Sequence, residues 1–189
     1  SVINMYSRLK LPGIKIYNLI IPNGFEFEVT EKYKKLITPA KDAIKSVFAA
    51  EDPEIIKINP IDEIRKHRTE YIYFNTDHHW TSLGAYYAYR SFCEAAALTP
   101  VSLDTISSKV KPGFLGLFHR LTRSAILKNN PDSVRYYLFP DSVNFYIGSS
   151  KSIGYWAKSK MYAEQVSGAN SYSVFLQGDL PICKMETQH

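Results

Sequence analysis

The side chains best suited to acid–base chemistry crowd into one stretch, Asn75-Thr76-Asp77-His78-His79-Trp80-Thr81. With an extended backbone, side chains two residues apart project to the same side, so the Asp77 carboxylate and the His79 imidazole are expected to converge. A carboxylate that accepts a hydrogen bond from one ring nitrogen fixes the tautomer and leaves the other nitrogen as a base. That supplies two of the three parts of a hydrolytic triad. Free histidine titrates near pH ~6.5, and a carboxylate neighbour strengthens its hold on a proton, which suits a general base near neutrality. An Asp-x-His pair also serves as a plain structural hydrogen bond; its placement after an apolar run favours the catalytic reading. His78 is expected to turn away from the pair, and Trp80 to pack beneath it with its indole N–H paired. Ser82 stands where it helps begin a helix, so capping is expected of it rather than attack. His67 and His119 read as surface or hydrogen-bonded histidines.

The elements that position this string alternate. Residues 14–21 are β-branched, mostly apolar and stopped by Pro22, as in a central strand of a covered sheet. A helix follows, with Thr38 as cap, Pro39 in the first turn and Ile44, Val47 and Phe48 at helical spacing. Residues 54–58 read as a second strand, and Asn59-Pro60 repeats the cap-plus-proline signal for a short helix through Arg65. A third strand over Tyr71 to Phe74 delivers the motif. A helix from Thr81 to Ala97 then presents Ala85, Ala88, Tyr89, Phe92 and Ala96 on one apolar face. Strand and helix in alternation predict an α/β fold, a parallel sheet flanked by helices, with a ligand beyond the carboxyl ends of the strands. From Pro100 the composition shifts to scattered Gly, Ser, Asn and Tyr with short apolar runs such as 134–139, the pattern of short strands and long loops. Three segments result: a core over 1–99, a strand- and loop-rich insertion or lid over 100–180, and a tail over 181–189.

The string does not stand alone. Together with Leu19-Ile20-Ile21-Pro22, Glu70-Tyr71-Ile72-Tyr73-Phe74, Thr81-Ser82-Leu83-Gly84-Ala85-Tyr86, Gly113-Phe114-Leu115-Gly116 and Asn130-Pro131-Asp132, it resembles the DHHW family. That family's domain is similar to the SGNH hydrolases and to the alginate O-acetyltransferases of bacterial envelopes. The resemblance spans most of the chain. It implies an SGNH- or flavodoxin-like sheet, here incomplete, with Asp77 and His79 as triad acid and base. It also implies a serine from a Gly-Asp-Ser-like or Asp-Ser-Tyr-like turn nearer the C-terminus. Here Gly178-Asp179, which reads as a turn, is followed by Leu180, and no Gly-Asp-Ser occurs in the 189 residues. The nucleophile is therefore expected beyond His189, in a larger enzyme of which this chain is a fragment or truncation.

The resemblance further implies an O-acyl esterase or acetyltransferase acting on cell-wall or exopolysaccharide, extracytoplasmic, beside a membrane-bound O-acyltransferase, with its export signal or anchor upstream of Ser1. No cofactor is expected. A non-catalytic polysaccharide-binding or scaffold module is the alternative, since tyrosine and tryptophan in residues 136–175 suit sugar rings. A metallophosphoesterase is a further reading, because Asp-x-His and Asp-His-His strings occur in such enzymes. Neither Gly-Asp-x-x-Asp, Asn-His-Asp/Glu nor an upstream Asp-x-Asp is present to complete a coordination shell, so no metal is expected.

Composition bounds the rest. At 189 residues, 45% hydrophobic and 14% aromatic, one domain with a real core is expected. The longest apolar run is far too short to cross a bilayer. Twenty-three basic and 18 acidic residues leave a net charge of +5, with Lys32, Lys34, Lys35, Lys41 and Lys45 expected on the solvated face of one helix. Such a surface suits an acidic polymer; no nucleic-acid motif accompanies it. Cys93 and Cys183 are expected to stay unbridged. Loss of a late strand would expose a sheet edge, a route to homodimers.

Overall fold

The computed structural model of the chain describes residues 1–139, 143–149, 152–178, 180 and 182–187. It divides into two compact units, one formed by Ser1–Phe74 with His78–Val101, the other by Asn75–Asp77 with Ser102–His189.

The first unit runs α1 (Val2–Leu9), β1 (Tyr17–Leu19), α2 (Phe25–Glu28), α3 (Glu31–Lys34), α4 (Ala40–Ala49), β2 (Ile56–Ile58), α5 (Ile61–Lys66) and α6 (Ser82–Ala96). β1 and β2 pair in parallel, with Tyr17, Asn18 and Leu19 opposite Ile56, Lys57 and Ile58. The sheet is narrower than expected. Ile14 and Ile21 are about half exposed, and β2 ends at Ile58 just before Asn59-Pro60, so β1 has only three partners.

The third expected strand is not in the sheet. Ile72, Tyr73 and Phe74 are all at least 96% buried, but their backbone is matched by the chain's own return. Phe74 N–H donates to the His79 carbonyl at 3.2 Å, Thr81 N–H donates to the Ile72 carbonyl at 2.9 Å, and Tyr73 faces Trp80 in an antiparallel bridge. A buried backbone must find partners; here the chain's own return supplies them in place of β1 or β2.

Around that run a core forms from Ile64, Ile72, Tyr73, Tyr87 and Ala88, with Leu19, Phe27, Trp80, Leu83 and Tyr86 against it. The Tyr73 hydroxyl donates to the Pro22 carbonyl at 2.7 Å, and burial pushes its phenol well above the usual range. The buried residues of α6 are Gly84, Tyr87, Ala88 and Cys93; of the expected stripe Ala88 is buried, Ala85, Phe92 and Ala96 are half-buried, and Tyr89 is exposed. Two contacts rotate the helix. Gly84 lies so close to the strand run that a Cβ would sit 2.3 Å from the Ile72 carbonyl oxygen. The Tyr87 ring stacks on His67 at 3.5 Å while its hydroxyl donates to Glu70 at 2.7 Å. His67 is thus a satisfied histidine, its Nδ1 2.6 Å from Glu70.

Capping departs from expectation in detail. Thr81, not Ser82, caps α6: its Oγ1 accepts from Gly84 N–H at 3.3 Å and donates to the Tyr71 carbonyl at 2.8 Å. Thr38 does not cap α4, whose first N–H donates instead to the Glu26 carboxylate at 2.8 Å. Asn59 does act as expected, accepting from Ile61 N–H at 3.1 Å. The five lysines are exposed, but Lys32 and Lys34 lie on α3 and Lys41 and Lys45 on α4, so they do not share one helix.

The second unit contains β3 (Ser108–Phe114), α7 (Leu117–Thr122), α8 (Ala125–Asn129), β4 (Asp132–Tyr137), β5 (Val143–Ser149), β6 (Ser152–Ser159) and β7 (Cys183–Thr187). The short strands expected of this half are present. β3 and β4 pair antiparallel, with a bulge between Pro112 and Phe114 where Gly113 takes a φ of +83°, a conformation that glycine adopts at little cost. A second antiparallel sheet has the order β6-β5-β7. The expected turn at Gly178-Asp179 includes Asp179, which lies outside the described residues, as do residues 181, 188 and 189 of the expected tail. Cys93 is buried and Cys183 exposed, both as free thiols. Among the described residues, no helix is long and apolar enough to cross a membrane.

Candidate functional site

The loop carrying Asp77 and His79 is a tight one, leaving the buried run at Phe74 and rejoining it at His79. Its backbone over 75–79 is bent, not extended, so the same-side argument for alternate residues does not govern it. Three consecutive side chains converge instead. Asp77, His78 and His79 each offer one ligand atom, all within 4.8 Å of one another. Because the residues are adjacent, these distances are set by two peptide links and the side-chain torsions. His78 does not turn away: its ring centroid is 3.9 Å from that of His79, with the planes tilted by 37°. Asp77 is buried and both imidazoles are exposed. Trp80 is partly buried and packs against the core cluster.

What holds Asn75–Asp77 comes from far along the chain. Asp132, 3% exposed at the start of β4, accepts hydrogen bonds from both Asn75 and Thr76. Its Oδ1 accepts from Asn75 N–H at 3.0 Å and Asn75 Nδ2 at 3.1 Å; its Oδ2 accepts from Thr76 N–H at 2.7 Å and Thr76 Oγ1 at 2.6 Å. Bonds from N–H groups to a carboxylate are charge-assisted, stronger and shorter than neutral ones. Thr76 Oγ1 in turn accepts from Gly116 N–H at 2.9 Å, and the Thr76 carbonyl accepts from Phe118 N–H at 2.9 Å.

Asp77 itself is fixed from α7: Leu117 N–H donates to its Oδ2 at 2.6 Å. Gly116 makes that approach possible, since a Cβ there would lie 2.3 Å from both Cβ and Oδ2 of Asp77. A buried carboxylate with one oxygen pinned by a backbone N–H has a set orientation, while the His79 imidazole two residues on is exposed. Thr76, Asp132, Gly116 and the Leu117 amide are the positioning groups that sequence reasoning did not assign. Gly113-Phe114-Leu115-Gly116 and Asn130-Pro131-Asp132 marked the right segments, but only as part of a resemblance. Nothing local in either announces a partner 40 or 56 residues away.

Comparisons with known proteins show what the chain as a whole is similar to. A DHHW family protein from Eubacterium siraeum, solved as a crystal structure, is 28% identical and matches at a TM-score of 0.83 over 98% of this chain and 62% of that chain. Bacillus cereus PatB1, solved with and without a sulfonyl adduct, is 14% identical at a TM-score of 0.71, over 98% of this chain and 63% and 66% of its own. The chain therefore spans less than two thirds of the length of each of these proteins. No curated protein matches it. The α/β class expected from the sequence holds, with its parallel part reduced to two strands. The family model for the DHHW protein matches residues 1–183, and the chain belongs to that family.

Proposed function

We propose that the chain supplies the acid–base half of an SGNH-like, serine-dependent O-acyl esterase or acetyltransferase acting on a cell-envelope polysaccharide. In this reading Asp77 holds His79 in one tautomer and stabilises its protonated form. The ring nitrogen remote from the carboxylate takes the proton of a serine hydroxyl as that oxygen attacks an acyl carbonyl. The same proton passes to the departing oxygen, leaving an acyl-serine. His79 then deprotonates water or a sugar hydroxyl, which attacks the acyl-serine and regenerates the serine. The serine would come from the family's Gly-Asp-Ser-like turn, which residues 1–189 do not contain.

The observation that carries the reading is the buried Asp77 carboxylate, pinned by Leu117 N–H and crowded by Gly116, two residues before an exposed imidazole. Support also comes from PatB1, which is described with a sulfonyl adduct, the kind of product a nucleophilic side chain forms with an electrophilic sulfonyl reagent. The substrate would be a cell-wall or exopolysaccharide, the partner a membrane-bound O-acyltransferase and the location extracytoplasmic. A non-catalytic polysaccharide-binding module is the second reading, favoured by the exposed Tyr155 and Trp156 on β6.

Turnover of an activated acetyl ester by the full-length protein distinguishes the two. Asp77→Ala and His79→Ala should each lower it by about 10³–10⁴-fold, and a fluorophosphonate should label a serine outside residues 1–189. Residues 1–189 alone should turn over no ester, because the oxyanion donors usually flank the nucleophile turn. Unchanged turnover in both variants, or stoichiometric His79-dependent labelling of a serine within residues 1–189, would refute the reading.

A further inference from the structure

We propose that Asp77, His78 and His79 form a three-ligand site for Zn²⁺, and that zinc held there blocks acyl transfer. In a strand, His78 would point away from its two neighbours. The bend over 75–79 brings all three consecutive side chains together instead, with ligand atoms within 4.8 Å of one another. This gives His78, which the acid–base reading leaves unused, a chemical part.

The donor set is one carboxylate oxygen and two imidazole nitrogens, which suits zinc and disfavours magnesium and calcium. With Zn–N and Zn–O distances of about 2.0–2.2 Å, tetrahedral ligand atoms stand about 3.3 Å apart. Binding would require rotation of the two exposed rings to bring the ligand atoms from within 4.8 Å to that separation. Water completes the fourth position.

The carboxylate is already oriented. Its Oδ2 accepts from Leu117 N–H at 2.6 Å, and the two preceding residues are tied to Asp132. Metal-bound carboxylates characteristically carry such outer hydrogen bonds, and a fixed loop lowers the ordering cost of binding. A His79 lone pair donated to zinc cannot accept a serine proton, so metal binding and general-base action exclude one another. That consequence rests on the function proposed above; the binding itself does not.

The test is a Zn²⁺ titration of the purified metal-free protein, by calorimetry and by competition with a chromophoric chelator. A Cys183→Ser background removes the exposed thiol as a rival ligand. One equivalent should bind. His78→Gln, and independently His78→Ala, should weaken the affinity about 10-fold or more with circular dichroism unchanged, while His67→Gln should leave it alone. In the ester assay, Zn²⁺ should inhibit the parent, and His78→Gln, measured against its own zinc-free turnover, should need correspondingly more zinc for half-inhibition. Affinity unaltered by both His78 substitutions would overturn the site, and tight zinc binding without inhibition would overturn the blocking role. Should the metal-free enzyme turn over no ester, the enzymatic reading and the blocking role fall together, while the titration still decides the site.

Discussion

Replacing Gly116 by alanine separates steric from torsional causes. Gly116 has a φ of −83°, which any residue adopts, so a substitution there meets no backbone strain. It meets Asp77: the new methyl would lie 2.3 Å from the Asp77 Cβ and 2.7 Å from its Cγ. Turning the carboxylate cannot relieve a Cβ–Cβ clash, so one of the two backbones must move. Overpacking costs ~1–3 kcal/mol, and losing the charge-assisted bond from Leu117 N–H costs ~1.5–3 kcal/mol. Moving Asp77 away relieves the first by incurring the second, so the net expectation is about 1.5–3 kcal/mol. The control is Gly113→Ala, where φ is +83° and nothing lies within 4 Å. There the cost is about 1–2 kcal/mol of left-handed strain with Asp77 left in place. Urea denaturation reads the stabilities, and hydrogen exchange at the Leu117 amide reads the bond itself. Under the function proposed above, an Asp77 carboxylate displaced by about 1 Å should lower kcat/KM of the full-length protein for an acetyl ester about 100-fold, and the control should not. The reasoning fails if Gly116→Ala is no less stable than Gly113→Ala, or if Leu117 keeps its exchange protection.

Asp132→Asn should cost about 2–4 kcal/mol, because an amide presents its NH₂ to at least one pair of the donors that the carboxylate now satisfies; a denaturation midpoint matching the parent's would show that the cradle does not hold the loop. Acid sensitivity should trace in part to Glu70, whose carboxyl is held below its ordinary 4.5 by the Tyr87 hydroxyl first and His67 second. A depressed carboxyl stabilises the fold above its unfolded value and loses that contribution as pH falls through the lower folded value. Glu70→Gln should therefore flatten the decline in melting temperature below pH ~4.5 relative to the parent, and parallel curves would exclude the assignment.

Residue chemistry and local pattern were legible in the sequence. The Asp77-His78-His79 string, the alternation of apolar runs with helices and the Asn59 cap depend on neighbours a few residues apart, and such signals survive in a linear reading. The family resemblance likewise came from short strings. Where partners lie far away, the sequence was silent or misleading. Tyr71 to Phe74 has the composition of a sheet strand, but a buried backbone needs only some partner, and its own return through His79, Trp80 and Thr81 provides one. The face of α6 was set by Tyr87 finding His67 and Glu70, and by Gly84 meeting the Ile72 carbonyl. The grip on Asn75–Asp77 was decided by a carboxylate 56 residues on and a glycine 40 residues on. A bent loop with buried N–H groups is stable only where acceptors converge on it, and convergence is a property of the folded chain.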